Sequence, residues 1–411
     1  MYFVYSVFTY LVFIFSPFII LFRIINGKED PIRFKEKFCI YSKKNYLKSI
    51  WFHAVSVGEL MSIIPVLEKL EKNNKIKQII VTSSTTSSAK IFEKQKFKKT
   101  IHKYFPLDTN YLNNKFINNW KIKTAFFVDS EIWPNMIKNL NKKKIPIIIL
   151  NARITEKSFQ RWKIFSKFTK SIFQKITIAL PSNEDTKYFL KRLGTRKIKF
   201  AGNLKYYDES KNKLIFNKDL KKKFKYFKIW CAASTHNGEE IFISKLHKIL
   251  KKKENNLLTI IIPRHIDRCK TIIEDLKKQN LKIITHSSNQ EIKRNTDIYL
   301  VDTYGEAKQF YNLSNITFVG GSIIKHGGQN PLEPARLGNY IINGPNIENF
   351  REIYNFLVKN KMSTTTASTL NIKKIVQEKI NQKISNKNKE KIFKIGNIII
   401  NKNMFYINKY I

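Results

Sequence analysis

At 411 residues, 43% of them hydrophobic and including 31 Phe and 18 Tyr, the chain is long enough for two or three packed domains and too apolar for a disordered one. Lys and Arg number 76 against 31 Asp and Glu, a net charge of +45, which favours anionic partners such as nucleic acid, acidic lipid headgroups or phosphorylated substrates. Lysine runs at 142–144, 221–223 and 251–253 show the excess spread as solvated surface, and three distant cysteines (Cys39, Cys231, Cys269) suggest neither a disulfide framework nor a zinc knuckle.

The chain opens with an apolar run. Residues 2–22 carry no charge and are rich in Phe, Val, Ile and Leu, enough for a helix to cross about 30 Å of hydrocarbon, with Pro17 as a point of bending. A cleaved signal peptide wants positive charge before such a run and small residues after it, and neither is present. Arg23, Lys28, Arg33, Lys35 and Lys37 follow instead, which places the bulk of a single-pass anchored protein in the cytoplasm. A helix lying in the membrane surface is the alternative.

Short apolar strands then alternate with amphipathic helices, the pattern of parallel sheets covered by helices. The strands are expected at 49–54, 78–82, 124–128, 146–150 and 177–180, and again at 228–233, 257–262, 281–285, 297–301, 316–319 and 340–342. A polar, lysine-rich interval at 206–227 separates the two series. The fold class is α/β, with two Rossmann-like domains facing a cleft: an anchor at 1–25, a first domain at 26–205, a second at 206–370 and a basic helical tail at 371–411.

Ligands of parallel sheets bind beyond the carboxyl ends of the strands. There, Glu59 follows the first strand at a helix start, either as a capping acid or as a general base that the helix dipole keeps ionised. Asp129 and Glu131 follow a later strand with the same two readings. In the second half, His236 lies in a hydroxyl-rich turn, and Pro263 and Arg264 follow a strand where the guanidinium suits a phosphate. Thr303 to Glu306, enclosing Tyr304 and Gly305, has capping-box spacing.

Glycine is scarce, 13 in the chain, yet positions 320, 321, 327, 328, 338 and 344 all fall within 316–344. This segment reads as strand, glycine loop and helix, with Asn330 as N-cap, Pro331 at the first helical position and Glu333 three residues after the cap. Free amides and close backbone approach there form a phosphate site, unless the glycines are ordinary turns. No Asp-x-Asp pair suitably placed after a strand, HExxH or CxxC motif points to a metal, and no RNP, helix-turn-helix or zinc motif points to nucleic acid.

The ordered motifs HAVSVGE (53–59), TSSTTSSA (82–89), DSEIWPN (129–135), NARITEKSF (151–159), GNLKY (202–206), ASTHNGEE (233–240), PRH (263–265) and GGQNPLEPARLG (327–338) resemble the 3-deoxy-D-manno-octulosonic acid (Kdo) transferase family of lipopolysaccharide synthesis. The resemblance implies a membrane-associated inverting glycosyltransferase of the GT-B fold. Such an enzyme moves Kdo from CMP-Kdo to the lipid A precursor (lipid IVA) at the cytoplasmic face of the inner membrane, without cofactor or metal. It implies Glu59 as proton acceptor and Glu131 and Lys205 as transition-state stabilisers. Pro263, Arg264, Tyr304, Gly305, Glu306, Asn330, Pro331, Leu332 and Glu333 are implied to bind the CMP portion. Asp129-Ser130, Lys325-His326, Gln329 and Tyr207 depart from the family pattern.

Overall fold

The computed structural model describes residues 1–42, 45–207, 217–382 and 386–411. Residues 208–216 of the expected interdomain interval and 383–385 of the expected tail lie outside them. The chain divides into two compact units, Met1–Glu209 with Ile395–Ile411, and Ser210–Lys394.

In the first unit, α1 (Tyr2–Ile25) precedes a regular alternation: β1 (Ser49–His53), α2 (Val57–Glu71), β2 (Gln78–Ser83), α3 (Thr86–Glu93), β3 (Thr100–Tyr104), α4 (Asn110–Asn119) and β4 (Ile122–Val128). It continues through α5 (Pro134–Lys142), β5 (Ile147–Ala152), α6 (Glu156–Ile164), α7 (Ser166–Phe173), β6 (Ile178–Pro181) and α8 (Glu184–Leu193). The strands pair in parallel in the order β3-β2-β1-β4-β5-β6. Every residue of β1, β2 and β5 is buried, because helices cover both faces of a parallel sheet. Strand β3 was not anticipated; its sequence, Thr-Ile-His-Lys-Tyr, alternates in burial as an edge strand does and has no apolar run to announce it.

The second unit repeats the plan with α9 (Lys218–Lys223), β7 (Lys228–Thr235), α10 (Glu239–Lys251), β8 (Leu257–Pro263), α11 (Cys269–Lys277), β9 (Ile283–Thr285) and β10 (Ile298–Leu300). Then follow α12 (Ala307–Tyr311), β11 (Ile316–Val319), α13 (Leu332–Arg336), β12 (Tyr340–Asn343), α14 (Arg351–Lys359), β13 (Ser363–Thr365), α15 (Thr369–Lys379) and α16 (Asn386–Ile407). Its parallel sheet runs β13-β12-β11-β7-β8-β10-β9. Helix α15 places Ile372 and Val376 in the core of this unit. Helix α16 carries the chain back to the first unit, where a Cβ on Gly396 would come within 2.7 Å of Tyr206 O; only glycine permits that approach.

Helix α1 is long and apolar enough to cross a membrane. It is nonetheless held against the first unit along one stripe. The Tyr5 hydroxyl donates to Asp108 Oδ2 at 2.7 Å, Ser6 Oγ donates to Asn135 Oδ1 at 3.0 Å, and Asn135 Nδ2 donates to Thr9 Oγ1 at 3.0 Å. Tyr2 meets the edge of Phe168, and Ser16 and Ile20 are buried. The polar residues scattered through the apolar run thus fall at helical spacing on the docked face. The opposite face exposes Phe3, Phe8, Leu11, Phe15, Phe18 and Phe22.

The glycine loop after β11 departs from expectation. The carboxylate of Glu239, at the start of α10, already fills the amide nest: His236 N and Gly321 N donate to Oε2 at 3.0 and 2.7 Å, and Ser322 N and Ile323 N to Oε1 at 3.1 Å each. Glu239 is fully buried, and a Cβ on Gly320 would stand 2.4 Å from Ser234 O. These glycines let the loop close around a side-chain carboxylate, so the amides of 321–323 are not a phosphate site.

Two outcomes follow. Glu239→Ala strands four buried donors and should lower the stability of the second unit by about 3 kcal/mol or more in denaturant titration; a loss under about 1 kcal/mol contradicts the nest. Deleting residues 2–22 removes the bonds that Tyr5, Ser6 and Thr9 make to Asp108 and Asn135, and the unfolding midpoint in detergent should fall by roughly 2–10 °C. An unchanged midpoint would mean that α1 is only tethered.

Candidate active site

The first sheet reverses its strand order once, and the second does so beside β7 and again at its β10–β9 edge. In the first unit the reversal lies between β1 and β4, so the loops leaving their carboxyl ends diverge and open a crevice. Glu59 enters it from the β1–α2 turn. Ser56 caps α2, with its Oγ accepting from Glu59 N at 3.3 Å. The Glu59 carboxylate answers by accepting from Ser56 Oγ at 3.0 Å and from Val55 N at 2.7 Å. The capping role that the sequence left open is therefore real. It does not keep the group fully ionised: burial first, then the charges of Glu131 and Asp129, push its pKa up to about 7, against the pull of Val55 and Ser56.

The β4–α5 loop supplies both neighbours. Asp129 is buried with φ 56°, and Asn151, itself at φ 53°, donates to its Oδ1 at 2.6 Å. Asn151 Oδ1 accepts in turn from Leu204 N at 2.9 Å, tying the turn at 204–206 to the end of β5. Lys205 Nζ consequently lies 3.9 Å from Asp129 Oδ2. Burial raises the Asp129 carboxyl, with Lys205 and Asn151 pulling it down. Glu131 accepts from Trp133 Nε1 at 2.8 Å. His53 Nε2 stands 3.6 Å from Glu131 Oε2 and has no hydrogen bond, while its buried ring stacks on Phe105 and its Nδ1 meets Thr82 Oγ1 at 2.9 Å. The structure thus gathers Glu59, Asp129, Glu131 and Lys205, all named from the sequence, and adds Asn151 and His53. Both additions sit in the quoted motifs, but nothing in their spacing shows that they meet.

The second sheet reverses between β7 and β11, and the expected nucleotide residues line the same carboxyl edge. Pro263 is buried at the end of β8, and Arg264 is exposed with its N–H donating to Thr235 O at 3.0 Å. His236, after β7, lies against the His326 ring (centroids 4.1 Å apart) and 3.1 Å from Gln329 Nε2. Burial first, then charge interactions with His326, His265, Arg264 and Arg268, pull its pKa down to about 4. Sequence reading had not joined these residues into one cluster.

Tyr304 and Gly305 are exposed, and Glu306 accepts from the Thr303 hydroxyl and lies 3.1 Å from His286 Nε2. Asn330 Oδ1 accepts from Leu332 N at 3.1 Å, so α13 begins one residue later than expected, with Pro331 as its cap residue. The capping-box spacing to Glu333 is therefore lost. Pro331 and Leu332 are buried and Glu333 is exposed. With five residues, α13 adds little dipole of its own. Helix α12, which follows the 304–306 segment, lies close to α13. Among the described residues, no group of three or more His, Cys, Asp or Glu side chains is placed to hold a metal.

A family model described as 3-deoxy-D-manno-octulosonic-acid transferase matches residues 32–208. The 3-deoxy-D-manno-octulosonic acid transferase of Haemophilus influenzae is 32% identical over 389 residues, covering 92% of this chain and 91% of the relative. That of Rickettsia bellii is 34% identical over 350 residues, covering 84% and 82%. The UDP-GlcNAc 2-epimerase of Neisseria meningitidis, solved with UDP-GlcNAc, superposes with a TM-score of 0.55 at 16% identity over 88% of this chain and 99% of that one, a likeness of fold alone. With two parallel α/β units and sequence identity running through nearly the whole chain, the protein belongs to the 3-deoxy-D-manno-octulosonic acid transferase family of glycosyltransferases.

Proposed function

We propose that the protein transfers Kdo from CMP-Kdo to the lipid A precursor, lipid IVA, by a single inverting displacement that needs neither metal nor cofactor. The observation that carries this reading is Glu59, a carboxylate poised near pH 7 by burial and two acidic neighbours at the switch point of the first sheet. A group with that pKa takes a proton from an acceptor hydroxyl at neutral pH and releases it readily afterwards.

The acceptor oxygen forms its bond to the anomeric carbon as its proton passes to Glu59, and the bond to the CMP phosphate breaks with its electrons on the phosphate. Glu131, held by the Trp133 indole, faces the positive charge that develops on the sugar ring. Lys205, anchored through Asp129 and Asn151, offers its ammonium to the Kdo carboxylate. Arg264 supplies positive charge to the leaving phosphate, and His236, kept uncharged at neutral pH by burial and its neighbours, offers it a ring N–H, the work a metal does elsewhere. With the amides of 321–323 occupied by Glu239, phosphate binding falls to these side chains, aided by Pro263, Tyr304 to Glu306 and Asn330 to Leu332; exposed Glu333 suits the ribose hydroxyls.

For α1 we favour insertion in the plane of the cytoplasmic surface of the inner membrane. A helix hydrogen-bonded to Asp108 and Asn135 would draw those polar partners into hydrocarbon if it crossed.

Purified protein given CMP-Kdo and lipid IVA should release CMP and add Kdo to the lipid, read by mass spectrometry. Absence of any Kdo adduct would overturn the reading. The rate should also report Glu59: kcat/KM should rise with pH to a plateau, with half its rise near pH 7, because only the ionised form accepts a proton. Glu131→Gln removes a repelling charge and should move that midpoint to lower pH whatever it does to the plateau. An unmoved midpoint would assign the titration to another group.

A further inference from the structure

The first unit carries a groove of about 420 Å³ whose walls include Tyr5 of α1, Glu131, Ile132 and Trp133 of the β4–α5 loop, Trp162 of α6 and Phe168 of α7. Its volume falls in the range of small-molecule sites, about 300–1,000 Å³. Ser130, Glu131 and Tyr5 bring polar groups to the walls; the Glu131 carboxylate already holds the Trp133 indole N–H and the Tyr5 hydroxyl already donates to Asp108. The remaining walls are Ile, Pro, Trp and Phe side chains, which offer dispersion contact to hydrocarbon.

The elements that build these walls also build a membrane-facing surface. Phe3 on α1 is 79% exposed, and at the α6–α7 junction, between Trp162 and Phe168, Ile164 is 72% and Phe165 50% exposed. Exposed Lys163 and Lys167 flank that junction. Apolar side chains beside lysines match the interface of an anionic bilayer, where the rings and aliphatic chains sink below the headgroups and the ammonium groups meet them. The apolar groove is thus framed by lipid-facing elements and ends at a residue of the reaction centre.

We propose that this groove takes one fatty-acyl chain of the lipid acceptor, admitted between α1 and α7, and that this chain holds the acceptor sugar against the Glu59 and Glu131 pair. The inference rests on the reading of the protein as a transferase to a lipid acceptor. It makes α1 one wall of the acceptor site as well as an attachment to the membrane.

The test uses the full chain in detergent with CMP-Kdo and three acceptors: the acylated lipid A precursor, the same molecule with shortened chains, and the fully deacylated sugar. Each methylene lost from the groove should raise KM about fourfold with little change in kcat. Phe168→Trp, which narrows the groove with another aromatic ring, should raise the ratio of KM for acylated to KM for deacylated acceptor about tenfold. A KM independent of chain length in the wild-type protein overturns the groove assignment while leaving the transferase reading intact. An equal rise of KM for both acceptors in Phe168→Trp overturns it too, because the wall then serves the sugar or the fold. Failure of the wild-type protein to transfer Kdo to any of the three acceptors removes the functional reading itself.

Discussion

The reversal of strand order in each parallel sheet is the constraint on which the remaining structure depends. Strands buried on both faces leave most of their side chains no freedom for chemistry, so the reactive polar residues gather at the carboxyl ends of the strands and in the loops beyond them. Where the order reverses, neighbouring loops part and side chains from distant stretches converge. Glu59 after β1 and Glu131 after β4 meet on that account, although they lie far apart along the chain. In the second unit the same reversal sets His236 against the loop that follows β11.

The convergence is costly. Burial, reinforced by the charges of Glu131 and Asp129, raises Glu59 to about 7, and burial raises Asp129 as well, which withdraws stability as pH rises through the raised values. Asp129 and Asn151 both hold left-handed backbone, strain of a kind that persists only where surrounding bonds over-determine it. Here Asn151 binds Asp129 with one end of its amide and Leu204 with the other, and Lys205 is positioned as a result. The second unit shows the opposite use of a carboxylate. Glu239 sits in a nest of amides and supports the loop that presents His326 and Gln329.

Much of this was legible beforehand, for reasons that can be traced to particular residues. Apolar strands ending in polar turns located the junctions, and Glu59 after the first strand marked a helix start, although its cap Ser56 was not singled out. Edge strands β3 and β13 escaped because their residues are mostly polar. The nest misled because a cluster of glycine amides looks the same in sequence whether it receives a phosphate or the carboxylate of Glu239. The link from Asn151 to Lys205 is tertiary and leaves no local signal. By contrast, the docking of α1 was written in the spacing of Tyr2, Tyr5, Ser6, Thr9 and Ser16, but a run of such hydrophobicity draws attention to its length before its faces.

The role of Glu59 as base is tested most directly by single-turnover transfer in Glu59→Gln, measured beside CMP affinity and thermal unfolding. The amide oxygen that this substitution introduces can still accept from Val55 N but cannot take a proton. Transfer should fall by about 10²–10⁴ while CMP affinity, which the proposed mechanism assigns to the second unit, and the unfolding midpoint stay near those of the parent protein. Transfer at close to the parent rate would contradict it, leaving Glu59 as a helix cap alone.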